Sequence, residues 1–428
     1  MKPKNPQRPF PPDFLWGASL SAHQAEGGTH NQWSVWELEN AKSLAVQAEY
    51  KNTWMPRWGA FKKTATRSEN YVSGRGADHY NRYVEDFDLL KRMNMNALRF
   101  SIEWSRIQPN SERDWDHEAV AHYREYIREL KIRGIAPVVT LWHFTHPVWF
   151  ESKGGFAQYN NIKYFVKFAD RIMRELGSEI RYVVTINEPD SFAFNSYHSA
   201  EWPPQKQSWI ATMETYRNLL IAHNMVYGKL KKHRRPYLVG MSKLYSHYYP
   251  ADSAFLTRLG IWVRRFMTDN IPIYRVKHRL DFVGVNYYFA DRMRGNSIDN
   301  PNKRLSDLGW DMQPRYIEYV LRRLHKKYKR PILITENGLA DAADTDRRWW
   351  LEQTLPALAR ARADGVELVG YLHWSLIDNF EWAYGFWPRF GLVKVDYKTG
   401  RRTLRKSAVW YGMVIGRLRG TAAHKPSK

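Results

Sequence analysis

The sequence predicts an α/β chain closed as one (β/α)8, or TIM, barrel over residues 1–428, with its chemistry at the C-terminal ends of the strands. Three observations predict it. Eight short runs of apolar and β-branched residues recur along the chain, most of them separated by segments of helical spacing. Several runs end abruptly in residues able to do chemistry, such as Asn187-Glu188-Pro189 and Glu336-Asn337-Gly338. A doubly wound open sheet alternates in the same way but gathers such residues at one switch point, whereas a barrel spreads them around a rim. The length agrees, because 428 residues exceed an ordinary domain and barrels with insertions reach this size as one unit.

Taken in order, Phe14-Leu15-Trp16-Gly17-Ala18-Ser19 reads as the first strand, after a Pro-rich start. Residues 40–76 are polar and aromatic without a clear period, which predicts a long loop over one end of the fold. Tyr80, Tyr83, Phe87 and Leu90 have helical spacing, and a second strand follows at 97–102. A helix at about 117–133 leads through Gly134 to a third strand at 136–142, and a helix at about 160–176 leads to the strand before Glu188. The remaining pairs are helix 208–232 with strand 237–241, helix 314–329 with strand 331–336, and helix 346–363 with strand 367–374. A basic stretch at about 253–279 precedes the strand at 281–288. No internal repeat or linker is visible, only short basic tails at about 1–11 and 420–428.

Composition narrows the classes. Lys and Arg outnumber Asp and Glu by 66 to 43, a formal charge of +23, which implies attraction to polyanions or to an anionic membrane face. The charge is dispersed and no nucleic-acid-binding motif accompanies it, so a weak surface attraction is expected and no specific nucleic acid. The absence of cysteine excludes disulfides and thiolate metal sites and leaves the redox compartment open. The first residues lack the apolar core of a signal peptide, and no run of about 18 apolar residues exists to span a bilayer. A cytoplasmic protein is expected, peripheral at a membrane at most.

A lone glutamate at a strand end is ordinarily a solvated residue. Two of them, far apart in sequence and each ending a buried strand, are what a barrel needs to flank one bond from opposite sides, and paired carboxylates are the working parts of glycoside hydrolysis. The surrounding words sharpen this. Phe14-Leu15-Trp16-Gly17, Arg99-Phe100-Ser101-Ile102-Glu103-Trp104-Ser105-Arg106-Ile107, Asn187-Glu188-Pro189, Asn286-Tyr287-Tyr288, Thr335-Glu336-Asn337-Gly338 and Trp374-Ser375-Leu376-Ile377-Asp378-Asn379-Phe380-Glu381-Trp382 stand in this order. Together they resemble glycoside hydrolase family 1, the β-glucosidases, β-galactosidases and relatives, from about residue 12 to 412.

The resemblance implies a retaining β-glycosidase. Glu336 matches the nucleophile and Glu188 the acid/base, while Arg99 and Tyr288 match groups that contact the nucleophile. Gln24, His143, Asn187, Asn286, Glu381 and Trp382 match sugar-binding positions, and Trp374 matches a stacking platform. It implies a small β-glycoside as partner and no cofactor, and the strand-end histidine and carboxylates have no spacing that suggests a metal site. The family's 6-phosphosugar branch has a small polar residue where Glu381 stands. A carboxylate there would repel phosphate, so unphosphorylated β-glucosides, with β-fucosides and β-galactosides beside them, are expected.

Departures from the family pattern matter as well. Phe144 stands where many members carry Trp, and the stretches 244–281 and 288–311 are short, which predicts a more open mouth on the leaving-group side. Two alternatives stay open. One is a membrane-associated glycolipid glycosidase or transglycosylase, suggested by Arg258, Arg264, Arg265, Arg275, Lys277, His278 and Arg279 interleaved with Leu259, Ile261, Trp262, Val263, Phe266 and Ile271. The plainer reading of that stretch is an outer helix with a solvated basic face, and the same two readings apply to the basic run at 315–330. The other alternative, a sugar-binding relative without chemistry, is disfavoured because both glutamates are present. Oligomeric state is not legible.

Overall fold

In the computed structural model, which describes residues 9–421, eight parallel strands close a barrel. They are β1 (Leu15–Ser19), β2 (Ala97–Ser101), β3 (Ala136–Thr140), β4 (Tyr182–Asn187), β5 (Leu238–Leu244), β6 (Phe282–Tyr287), β7 (Ile332–Asn337) and β8 (Leu368–Trp374). Each bonds to its neighbour in chain order, and β8 returns to β1. The eight expected strands are all present, with ends shifted by a few residues.

Strand alternation divides the core in two. Leu15, Ala97, Val138, Val184, Phe282, Leu333 and Leu372, with the partly buried Leu238, belong to a separate apolar cluster to which every strand contributes at least one residue. Their chain neighbours, such as Leu98, Val139, Val183, Val239 and Val283, belong to the larger cluster shared with the surrounding helices. Because side chains alternate along a strand, residues two or four positions beyond the inner cluster face the barrel axis again. Arg99, Thr140, Asn286 and Trp374 lie at those positions, so the same alternation that fills the barrel floor aims the polar residues into its mouth.

The outer helices follow the expected pattern. His117–Ile132 is capped by the Asp116 carboxylate, which accepts from the Ala119 amide at 2.9 Å. Beyond its end Gly134 has φ 70°, a conformation that favours glycine. Trp209–Leu230 has the Ser208 hydroxyl in the capping role.

Three expectations need correction. Residues 40–76 are not one long loop. They continue a helix, Gln32–Lys51, and hold a second, Trp58–Ala65. The first opens with a reciprocal Asn31–Ser34 capping box and buries Ala41, Ala45 and Ala48 at helical spacing. Alanines carry so little hydrophobic contrast that the period is hidden in the sequence. The expected tail at 1–11 is too long, because Phe10 is buried with its ring 4.7 Å from Phe14 and 4.8 Å from Trp16. Most of both tails, 1–8 and 422–428, lies outside the described residues.

The third correction concerns the two basic stretches, which the sequence treats alike and the fold separates. Ile317–Tyr328 is an ordinary outer helix that buries Ile317, Val320, Leu321 and Leu324. Phe255–Arg265 does the reverse. It buries Thr257, Gly260 and Ile261 and turns Phe255, Leu256 and Trp262 outward, at 75%, 68% and 59% exposure. Gly260 explains the choice of face: a Cβ there would stand 2.3 Å from the Gly295 carbonyl oxygen, so the helix packs by its small residues.

Candidate active site

The site is built where β2, β3, β4, β6, β7 and β8 end. Chain pairing places Glu336 opposite Asn286 at an irregularity in the β6–β7 register. Irregularities of this kind re-aim a side chain at a barrel rim. Glu188 follows the last residue of β4, has φ 39°, donates its amide to the Ser242 carbonyl at 2.8 Å, and is followed at once by the helix Pro189–Tyr197. A left-handed conformation is costly for a residue with a side chain and persists where surrounding structure holds it. Here the amide bond to β5 and proline at the first helical position do so.

Glu336 is held by the two expected groups. The guanidinium of Arg99, wholly buried on β2, donates to Glu336 Oε1, and the Tyr288 hydroxyl donates to Oε2 at 2.7 Å. Arg99 also donates to Thr140 Oγ1 at 3.0 Å and to Asn187 Oδ1 at 2.7 Å, which ties three strand ends to one cation. Burial, with Glu336 as the nearest charge, holds the Tyr288 phenol well above its usual range, so it remains a donor. Tyr288→Phe removes one hydrogen bond to a charged group, about 1.5–3 kcal/mol. It should therefore lower kcat roughly ten- to hundredfold with KM little changed, as steady-state kinetics on an aryl glycoside would show.

Glu188 sits in a different environment. Burial first, then the charge of Glu336, push its carboxyl up to about 7, against hydrogen bonds from Asn286 and Ser191. The Asn286 amide donates to Glu188 Oε1 at 2.6 Å, while its own Oδ1 accepts from Thr335 Oγ1 at 2.7 Å. Expected as a sugar contact, Asn286 is instead committed to the acid/base candidate and its neighbours and does not line the cavity. The sequence could not show this, because an amide at a strand end suits either partner.

The cavity between the two glutamates encloses about 220 Å³, below the range of about 300–1,000 Å³ typical for drug-sized ligands. Gln24, His143, Asn187, Glu188, Tyr288, Glu336, Trp374, Glu381 and Trp382 all line it, so nine of the expected positions converge on one space. His143 Nε2 is 3.1 Å from the Asn187 amide and its buried Nδ1 has no partner among the described residues. Burial, then Arg99, hold this imidazole well below its usual range and keep it neutral. Gln24 donates to the Phe380 carbonyl at 2.7 Å and lies 3.3 Å from Glu381 Oε2. Burial, then Glu336, push Glu381 up to about 8.

The sequence missed part of the wall. Trp202, Tyr384, Phe289 and Trp310 line the same cavity, and the Trp202 ring lies 5.0 Å from Phe144 and 5.8 Å from Trp382. No local pattern in the sequence marks Trp310 or Phe289. Leu244, Phe289 and Trp310 come from the two shortened stretches, which still wall the mouth and carry small strands at His247–Pro250, Ala290–Arg294 and Ser297–Ile298. Among the described residues, no group of three or more His, Asp or Glu is disposed to hold a metal ion.

A closed barrel with two strand-end glutamates in unlike environments defines a glycoside-cleaving enzyme. The family model of Glycosyl hydrolase family 1 matches residues 6–261 and 262–419, and the chain belongs to that family. It is 28% identical to a 1,4-beta-D-glucan glucohydrolase of Thermotoga neapolitana, over 95% of this chain and 98% of the relative. It is 29% identical to a beta-galactosidase of Sulfolobus acidocaldarius, over 94% of each. Among solved structures, a beta-glycosidase from Pyrococcus horikoshii superposes with a TM-score of 0.83 at 31% identity, covering 97% of this chain and 98% of the other.

Proposed function

We propose that this glycoside hydrolase is a retaining β-glycosidase acting on unphosphorylated β-D-glucosides and, beside them, β-galactosides and β-fucosides. The observation that carries the reading is the contrast between the two glutamates: Glu336 takes two donors, one of them cationic, while Glu188 is pushed up to about 7. In the first step Glu336 attacks the anomeric carbon as the bond to the leaving oxygen breaks, and Glu188 gives that oxygen its proton. The sugar is then an ester of Glu336, whose charge is gone. The Glu188 pKa falls as a result, which suits it to take a proton from the water that attacks the anomeric carbon and releases Glu336.

His143, Asn187, Gln24, Glu381 and Trp382 hold the sugar hydroxyls in this reading, and Trp374 stacks on the ring. The free Nδ1 of a neutral imidazole and the amides of Gln24 and Asn187 suit hydroxyls that both donate and accept. The preference for an unphosphorylated sugar needs a different reason from the one the sequence suggests. With its carboxyl pushed up to about 8, Glu381 is mostly protonated at neutral pH and repels phosphate weakly. The lining, however, contains Glu188, Glu201, Glu336 and Glu381 and neither Lys nor Arg, so a phosphate would be desolvated there without a counter-charge. The names of the relatives do not decide it: a glucan glucohydrolase and a beta-galactosidase agree with this choice, but a 6-phospho-beta-galactosidase is 26% identical to the chain.

The test is nitrophenol release from aryl β-glucoside, β-galactoside, β-fucoside and 6-phospho-β-glucoside. Turnover of the first three with the phosphosugar at least about a hundredfold poorer is expected. Turnover of the phosphosugar alone would overturn the assignment.

A further inference from the structure

We propose that the segment 255–279 docks this protein on an anionic lipid bilayer. The catalytic reading does not depend on it. Outer helices of a barrel bury their apolar stripe, and Ile317–Tyr328 does so. Phe255–Arg265 and the turn after it instead present Phe255, Leu256, Leu259, Trp262, Val263 and Phe266 to solvent, each at least 37% exposed. Positions 255, 259, 262 and 266 fall on one side of a helix, so this is a continuous apolar strip, which soluble surfaces ordinarily avoid.

Cations accompany the strip. Arg258, Arg275 and Arg279 are exposed, and none has a carboxylate within ion-pairing distance among the described residues. The end of the segment also walls a cleft of about 730 Å³ in which Lys229, Lys232, Arg275 and Arg279 stand over Ile221 and Met225. Cations beside an apolar strip match both parts of a bilayer surface, the negative headgroups and the acyl boundary beneath them. Charge selects this occupant over a second copy of the chain, because two molecules of formal charge +23 would bring like charges together. Among the described residues no helix is long and apolar enough to cross a membrane, so the contact lies on the surface.

The test is co-sedimentation of the full chain with vesicles of phosphatidylcholine alone or mixed with phosphatidylglycerol, for the wild type, the double variant Trp262→Ser/Phe266→Ser and the single variant Leu256→Asn. Binding to the anionic vesicles that weakens with salt is expected, with a drop in partition of about tenfold or more for the double variant and a smaller drop for Leu256→Asn. Hydrolysis of a small aryl glycoside in solution should be unchanged in both variants. If the double variant loses hydrolysis as well, the exposed single position decides. Absence of vesicle binding by the wild type, equal binding to neutral vesicles, or undiminished binding of Leu256→Asn with the double variant folded would each overturn the proposal. So would dimers in ultracentrifugation that the variants dissolve while vesicle binding stays absent, or retention on soluble heparin alone.

Discussion

Glu336→Gln is expected to lower kcat on an aryl β-glucoside by about 10⁴-fold or more, because in the proposed mechanism it removes the group that forms the covalent intermediate. Glutamine keeps the shape and offers an oxygen to the Tyr288 hydroxyl, but it cannot attack the anomeric carbon and leaves the buried Arg99 without its anion. Breaking a buried pair in this way costs about 3–5 kcal/mol of stability. Activity must therefore be compared below the unfolding transition of the variant, followed by circular dichroism. A folded variant with more than about one-tenth of wild-type turnover would remove Glu336 from its role.

Glu188→Gln separates the two halves of the reaction. For a glycoside with a poor leaving group the first step should slow by about 10²–10⁴-fold, the usual worth of a positioned proton donor. For a leaving group that departs readily as an anion, the first step should slow much less. The pH dependence supplies a second readout. Burial and the Glu336 charge raise the Glu188 pKa to about 7, so the active protonated form predominates below that value and is lost as pH rises through it. Wild-type kcat/KM should accordingly fall on the alkaline side with a midpoint near that pKa, and the variant should lack this limb. A variant that retains the limb would assign it to another group, Glu381 being the nearest alternative because its carboxyl is pushed up to about 8.

The barrel was legible in the sequence because its strands are apolar on both faces. Residues such as Val138 and Val139, or Val183 and Val184, enter different cores but read as one β-branched run. The part of the helix Gln32–Lys51 beyond residue 40 was not legible, since the residues it buries there are Ala41, Ala45 and Ala48. The two glutamates, Arg99 and Tyr288 could be picked out because each stands in or just beyond a strand within a recognisable word. The commitment of Asn286 to Glu188 was hidden because an amide at a strand end suits either partner, and the contribution of Trp310 and Phe289 to the wall depends on which loop lies across the mouth, which no local pattern encodes. The same limit explains Phe255–Arg265. Its spacing permits a helix with the apolar face inward, and only the close approach of Gly260 to Gly295 decides that the small face packs instead.

The central claim is double displacement through Glu336, and the anomer released first tests it most directly. Proton NMR spectra taken during the opening minutes of aryl β-glucoside hydrolysis distinguish the two anomers of free glucose before they equilibrate. Two inversions at one carbon predict that the β-anomer accumulates first and the α-anomer grows in later by mutarotation. Initial release of the α-anomer would mean that water attacks the substrate directly. It would contradict the assignment of Glu336 as nucleophile and with it the mechanism built on the two glutamates.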